Sequence, residues 1–87
     1  MKIRFFGSPN CEDCAKVFIL LNKFDLEYDY IDALEEDDDI QNFCDDQDVE
    51  ELPHLQFIID GNIILQHVGP LKEEEFIGYL IDYFPDY

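Results

Sequence analysis

The spacing of apolar positions changes period several times along this chain, and each change marks an element. KIRFF, residues 2–6, is short and apolar-rich, and Gly7 and Pro9 close it, so it reads as a buried strand. From Cys11 the spacing becomes helical. Cys14, Val17, Phe18, Leu21 and Phe24 share one face, while Glu12, Asp13, Lys16 and Lys23 fall mostly elsewhere. LEYDYID, residues 26–32, alternates and is aromatic, which predicts a second strand. The acidic run EEDDDIQNFCDDQ, residues 35–47, fits a short helix with Ile40, Phe43 and Cys44 inward. Its acids crowd the first turns, where the helix dipole favours negative charge.

Pro53 stops any helix from running through EELPHL and biases Leu52 towards an extended conformation. Two apolar runs then flank Asp60-Gly61-Asn62, and Asp-Gly between such runs predicts a hairpin. GPLKEEEFIGYLIDYF, residues 69–84, ends the pattern as a helix with Phe76, Ile77, Leu80, Ile81 and Phe84 on one stripe and Pro70 near its first turn. The predicted order is β-α-β-α-β-β-α. A strand-helix-strand start implies a right-handed parallel crossover, and the closing pair is antiparallel. The expected fold class is therefore α/β: a four-stranded mixed sheet flanked by three helices, in a single domain over residues 1–87.

Composition narrows the functions this domain can have. A net charge of −17 on 87 residues leaves no positive footprint for nucleic acid or an anionic membrane surface. It favours a basic partner surface, although acidic residues also serve simply to keep a protein soluble. No apolar run approaches a signal peptide or a membrane span, so a cytoplasmic, monomeric protein is expected. Three cysteines do not make a secreted disulfide framework.

The chemistry concentrates in SPNCEDCAK, residues 8–16. Cys11 and Cys14 lie one helical turn apart at a strand-to-helix junction, about 5–6 Å between Cα atoms and within disulfide reach. The free amides and dipole of a helix start favour a thiolate on the outer cysteine. Cys11 is then the nucleophile and Cys14 the resolving thiol, with the redox-active Cys11–Cys14 disulfide in place of any cofactor. The competing reading, half of a zinc site, needs four ligands, and the remaining Cys44, His54 and His67 lack metal-like spacing, so no metal is assigned.

Three motifs in order give the chain a family resemblance. FFGSPNCEDC follows the first strand, LPHLQFIIDGNIIL supplies a proline, strand, hairpin and strand, and HVGPLKEEEFIGYL supplies a glycine before the last helix. The chain resembles the thioredoxin-fold superfamily in its short form, that of glutaredoxins and small glutaredoxin-like thioredoxins. The resemblance implies a thioredoxin-like fold with Pro53 cis and facing the thiol pair. It also implies that the Leu52 backbone pairs with an extended substrate and that Gly69 ends the fourth strand at the site's rim. It implies further that a disulfide-containing protein client is reduced and that a reductase recharges the pair.

Departures from the family pattern are informative. The chain has no Trp, and Asn10, Glu12 and Asp13 stand where thioredoxins carry Trp and Gly-Pro. Ser8 stands where glutaredoxins carry a basic residue, and VGPLKEE replaces their glutathione segment, which argues against glutathione. A carboxylate ~8 Å from Cys11 opposes its thiolate by about 0.5–1 kcal/mol, against ~0.3–1 kcal/mol of help from the helix dipole. Glu12 and Asp13 are thus expected to tune the pair towards a reductant, with His54 a third candidate tuning residue. Cys44 reads as packing. The expected function is a dithiol protein-disulfide oxidoreductase. The alternatives are a non-catalytic adaptor with an acidic binding face and a metal or iron–sulfur carrier.

Overall fold

A computed structural model describes residues 1–85. The elements are β1 (Lys2–Gly7), α1 (Glu12–Lys23), β2 (Tyr28–Asp32), α2 (Asp38–Asp46), β3 (His54–Ile59), β4 (Asn62–Val68) and α3 (Glu73–Tyr83). They follow the predicted order. The sheet runs β2-β1-β3-β4, with β1 and β2 parallel and the other two pairings antiparallel.

β1 is an interior strand, and a core packs on each face of the sheet where it runs. Ile3 and Phe5 enter the main core with Cys14, Val17, Leu20, Leu21, Leu55, Phe57 and Phe76, while Phe6 enters a smaller core with Ala33 and Cys44 beneath α2. Two-sided burial shows in the adjacent Phe5 and Phe6, both fully buried on opposite faces, whereas Lys2 and Arg4 alternate with Ile3 and Phe5. Each fully buried Phe contributes about 1.5–3 kcal/mol of transfer free energy, so these rings dominate a core this small.

Local sequence fixes the element ends. The Asp37 carboxylate caps α2 by accepting the N–H groups of Asp39 and Ile40 at 2.9 and 3.1 Å. Asp60 and Gly61 both adopt positive φ, 51° and 80°, which a two-residue hairpin turn with the right twist demands. A bulge follows: Ile58 pairs with Ile63 but Phe57 pairs with Leu65, leaving Ile64 unmatched.

The structure corrects three details of the helical pattern. Leu20, left off the predicted stripe, is buried, and Phe18 sits among Phe5, Tyr28 and Tyr30 at 4.7, 5.9 and 4.9 Å between ring centroids. On α3 the buried row is Phe76 and Phe84 with the half-buried Leu80, whereas Ile77 and Ile81 are 38% and 65% exposed. Phe57 of β3 and Phe24 at the end of α1 select this row. Ring centroids place Phe76 6.2 Å from Phe57 and 5.5 Å from Phe24, and Phe84 5.6 Å from Phe57, which turns the neighbouring row outward. Pro70 precedes the Lys72 N-cap rather than lying in the first turn.

Candidate active site

The site grows from the end of β1. Gly7 is packed so closely that a Cβ there would sit 2.9 Å from the Phe5 ring and 3.1 Å from the Tyr30 ring. Its carbonyl accepts the Ala33 N–H at 2.9 Å, tying the loop after β2 to the turn before α1. Ser8 is buried. Its carbonyl accepts the Cys11 N–H at 3.2 Å, and its hydroxyl oxygen accepts the Asn10 N–H at 3.3 Å. The loop therefore arrives at α1 in one fixed path.

Cys11 is the N-cap of α1, with extended backbone at φ −94° and ψ 113°. Its sulfur accepts the Cys14 N–H at 3.1 Å and is disulfide-bonded to Cys14, with the Cα atoms 5.1 Å apart. The two sulfurs differ in environment. Cys11 is half-buried at the surface, whereas Cys14 is fully buried in the main core. A helix-start amide aimed at Cys11 Sγ stabilises negative charge on that sulfur once the bond is reduced. Exposure and the helix-start amide thus single out the same sulfur, that of Cys11.

The proline segment that the resemblance assigns to the site is well defined. The Leu52–Pro53 peptide is cis, as the family resemblance implies, and Pro53 is fully buried. The Pro53 carbonyl accepts the Gly69 N–H at 2.8 Å, with Gly69 at φ +91° directly after β4. Leu52 is half-buried and packs against both cores, and Cys11 borders the main one. Among the described residues the Leu52 main chain makes no backbone hydrogen bond.

The charged neighbours are placed less symmetrically than their spacing suggests. Asp13 is half-buried with its carboxylate 3.9 Å from Lys16 Nζ, while Glu12 is exposed and forms no ion pair among the described residues. The structure does not bring His54 to the thiols. It pairs with Phe6 across the sheet and packs its ring edge-on against that residue, 5.6 Å away on the α2 face, opposite the core that holds Cys14. Strand alternation makes this choice: Leu55 and Phe57 face the main core, so His54 and Gln56 face the other way.

A polar chain through the buried His54 and Gln56 was not legible in the sequence. His54 Nε2–H donates to Gln66 Oε1 at 2.8 Å, Gln56 Nε2 donates to Gln66 and to Gln47, and Arg4 donates to Gln56 Oε1 at 2.8 Å. Arg4 also lies 5.0 Å over the Phe43 ring. The one signal available was the pair Gln56 and Gln66 in an otherwise apolar hairpin. His67, which lacks metal-like spacing in the sequence, donates Nε2–H to the Pro70 carbonyl at 2.9 Å and accepts the Tyr79 hydroxyl at Nδ1, 2.7 Å. It pins the loop behind Gly69 to α3. Burial raises the pKa of Tyr79, with Glu75 and Tyr83 adding to it, and that of Tyr30, with Asp32 adding. Burial likewise pushes the Cys44 thiol up, helped by Asp45. Among the described residues no three His, Cys, Asp or Glu side chains converge as they would for a metal ion.

The comparisons with known proteins fit this geometry. The family model described as Glutaredoxin matches residues 3–64, which include the thiol pair, the cis proline and most of the sheet. The chain belongs to the glutaredoxin family. Solved structures establish the fold of this glutaredoxin-family chain independently. Thioredoxin 1 from Thermosipho africanus superposes with a TM-score of 0.75 at 20% identity, covering 98% of this chain and 96% of that one. Oxidized thioredoxin O2 from Arabidopsis thaliana gives 0.76 at 19% identity, over 95% and 74%. A mutant thioredoxin from Halobacterium salinarum gives 0.77 at 20% identity, over 94% and 73%. No curated protein sequence matches the chain. The domain thus has a thiol-disulfide oxidoreductase-type fold and carries a Cys11–Cys14 pair.

Proposed function

We propose that the protein is a dithiol reductant of protein disulfides. The supporting observation is the asymmetry of the pair: an accessible Cys11 sulfur holding a helix-start N–H, bonded to a fully buried Cys14. In the reduced protein the Cys11 thiolate attacks one sulfur of a client disulfide. A mixed disulfide forms and the client's other sulfur leaves as a thiolate. Cys14 then attacks Cys11 Sγ; the intermolecular bond breaks, and the client leaves with both sulfurs reduced. Two electrons have passed to the client, its two thiolates take up two protons, and the Cys11–Cys14 disulfide remains. An external dithiol reductase returns the two electrons, so no separate cofactor is needed.

The unpaired main chain of Leu52, beside cis Pro53 and Gly69, supports a client held as an extended segment at the rim. The net charge of −17 supports a basic client, and Ser8 in place of a cation argues against glutathione as the donor. A reducing compartment such as the cytoplasm suits this direction of electron flow. No helix among the described residues is long and apolar enough to cross a membrane.

The test is turnover of a disulfide-bonded protein by the chain and a dithiol donor, read by alkylation and intact mass. Cys11→Ser should abolish turnover, and Cys14→Ser should accumulate a stable mixed disulfide on Cys11. Turnover that survives Cys11→Ser would overturn the assignment.

A further inference from the structure

We infer that the free edge of β4 is a docking strand for an extended, basic segment of a partner protein, which adds to the sheet as a fifth strand. The sheet has two open edges, β2 and β4. Open edges invite further strand pairing, and charged side chains usually block it. The β2 edge, YDYID, carries Asp29 and Asp32. The β4 edge, NIILQHV, carries no charge, and residues 61–71 contain no Asp, Glu, Lys or Arg in a chain where charged residues make up 31%. The unguarded edge is also apolar: Ile63, Ile64 and Val68 are 41%, 45% and 47% exposed.

The bulge at Ile64 interrupts the ladder, so the regular free edge runs from Leu65 to Val68. That stretch leads straight into Gly69, whose N–H is held by the Pro53 carbonyl. A strand docked there ends beside the Gly69–Pro53 hydrogen bond. On the sheet's α2 face, Phe43, Ile58 and Ile63, with Lys2 and Arg4, border a cleft of about 610 Å³ beside the start of β4, open to an apolar side chain of the incoming strand and not to its lysines.

Charge selects the occupant. Asp60 lies at one end of β4, and Glu73, Glu74 and Glu75 open α3 beyond the other, so lysines or arginines flanking an apolar segment meet acids at both ends. A second copy brings another −17 and aligns like charges, which disfavours pairing of β4 with itself. The surface does not depend on the redox reading, since no thiol takes part.

The probe is a peptide of alternating valine and threonine between paired lysines, titrated into the oxidised full chain and followed by amide shifts. Shifts are expected along Leu65–Val68, with affinity falling about fivefold between about 0.05 and about 0.5 M salt. Val68→Lys, at an exposed site, should weaken binding about tenfold through repulsion and lost apolar contact. The Val68→Lys protein should keep its melting temperature and its thiol turnover. Equal binding of the same peptide with glutamates for lysines, shifts on α1 and α3 instead, or concentration-dependent dimerisation through β4 would each overturn the inference.

Discussion

Replacing Glu12 by Gln should raise the reduction potential of the Cys11–Cys14 couple, and the sign follows from which redox state carries charge. The disulfide is neutral, so a nearby carboxylate leaves it unaffected. The reduced form carries a thiolate on Cys11, capped by the Cys14 N–H, and the Glu12 carboxylate destabilises it. An exposed acid ~8 Å away in mostly aqueous surroundings costs that thiolate about 0.5–1 kcal/mol. At 30 mV per 1.4 kcal/mol for two electrons, removing it raises the potential by about 10–20 mV. Asp13→Asn should give a smaller rise, because Lys16 lies 3.9 Å from that carboxylate and already offsets part of its field. The assay is equilibration in defined thiol buffers with alkylation and mass readout, repeated across pH. The rise should be largest where the reduced pair is ionised and vanish where Cys11 is protonated. In about 1 M salt it should shrink, as the screening length falls to about 3 Å. A lower potential for Glu12→Gln, a larger effect from Asp13→Asn, or an effect indifferent to salt would refute this electrostatic account.

Three further outcomes test the frame around the site. Gly69→Ala meets no neighbour within 4 Å, so its cost is the positive φ alone, about 1–2 kcal/mol, seen as a lower melting temperature. Gln56→Leu keeps the volume but removes the hydrogen-bond partner of the half-buried Arg4 and Gln47 side chains. It should cost about 0.5–1.5 kcal/mol in urea unfolding, and a neutral result would show the polar chain to be dispensable. The third concerns pH. Cys44 holds its proton more tightly folded than unfolded, because burial and then Asp45 raise its pKa. The unfolded chain therefore ionises first, and stability should fall as pH rises from about 8.5 until the folded thiol itself titrates. In oxidised protein, where Cys11 and Cys14 do not titrate, Cys44→Ala should flatten that alkaline fall. An unchanged slope would place its cause elsewhere.

Sequence by itself determined the elements, their order and the thiol pair, because each depends on near neighbours along the chain. Cys11 and Cys14 are three residues apart at a helix start, and a turn of helix puts their Cα atoms 5.1 Å apart wherever the helix lies. Asp60-Gly61 makes its turn for an equally local reason. The cis state of Pro53 was legible through family resemblance, since that proline matters only for what it faces. Tertiary structure decided which face of each element is covered. Ile77 and Ile81 fit the same helical period as Phe76 and Phe84, and contacts from Phe57 and Phe24 select the row that is buried. His54 follows Pro53 directly, yet β3 alternation turns it to the sheet face away from Cys14. The bulge at Ile64 puts Gln66, rather than Leu65, opposite Gln56 and so closes the polar chain. Periodicity records that a residue has an apolar side to hide. What hides it is supplied by segments distant in the chain, and those contacts leave no mark in the local pattern.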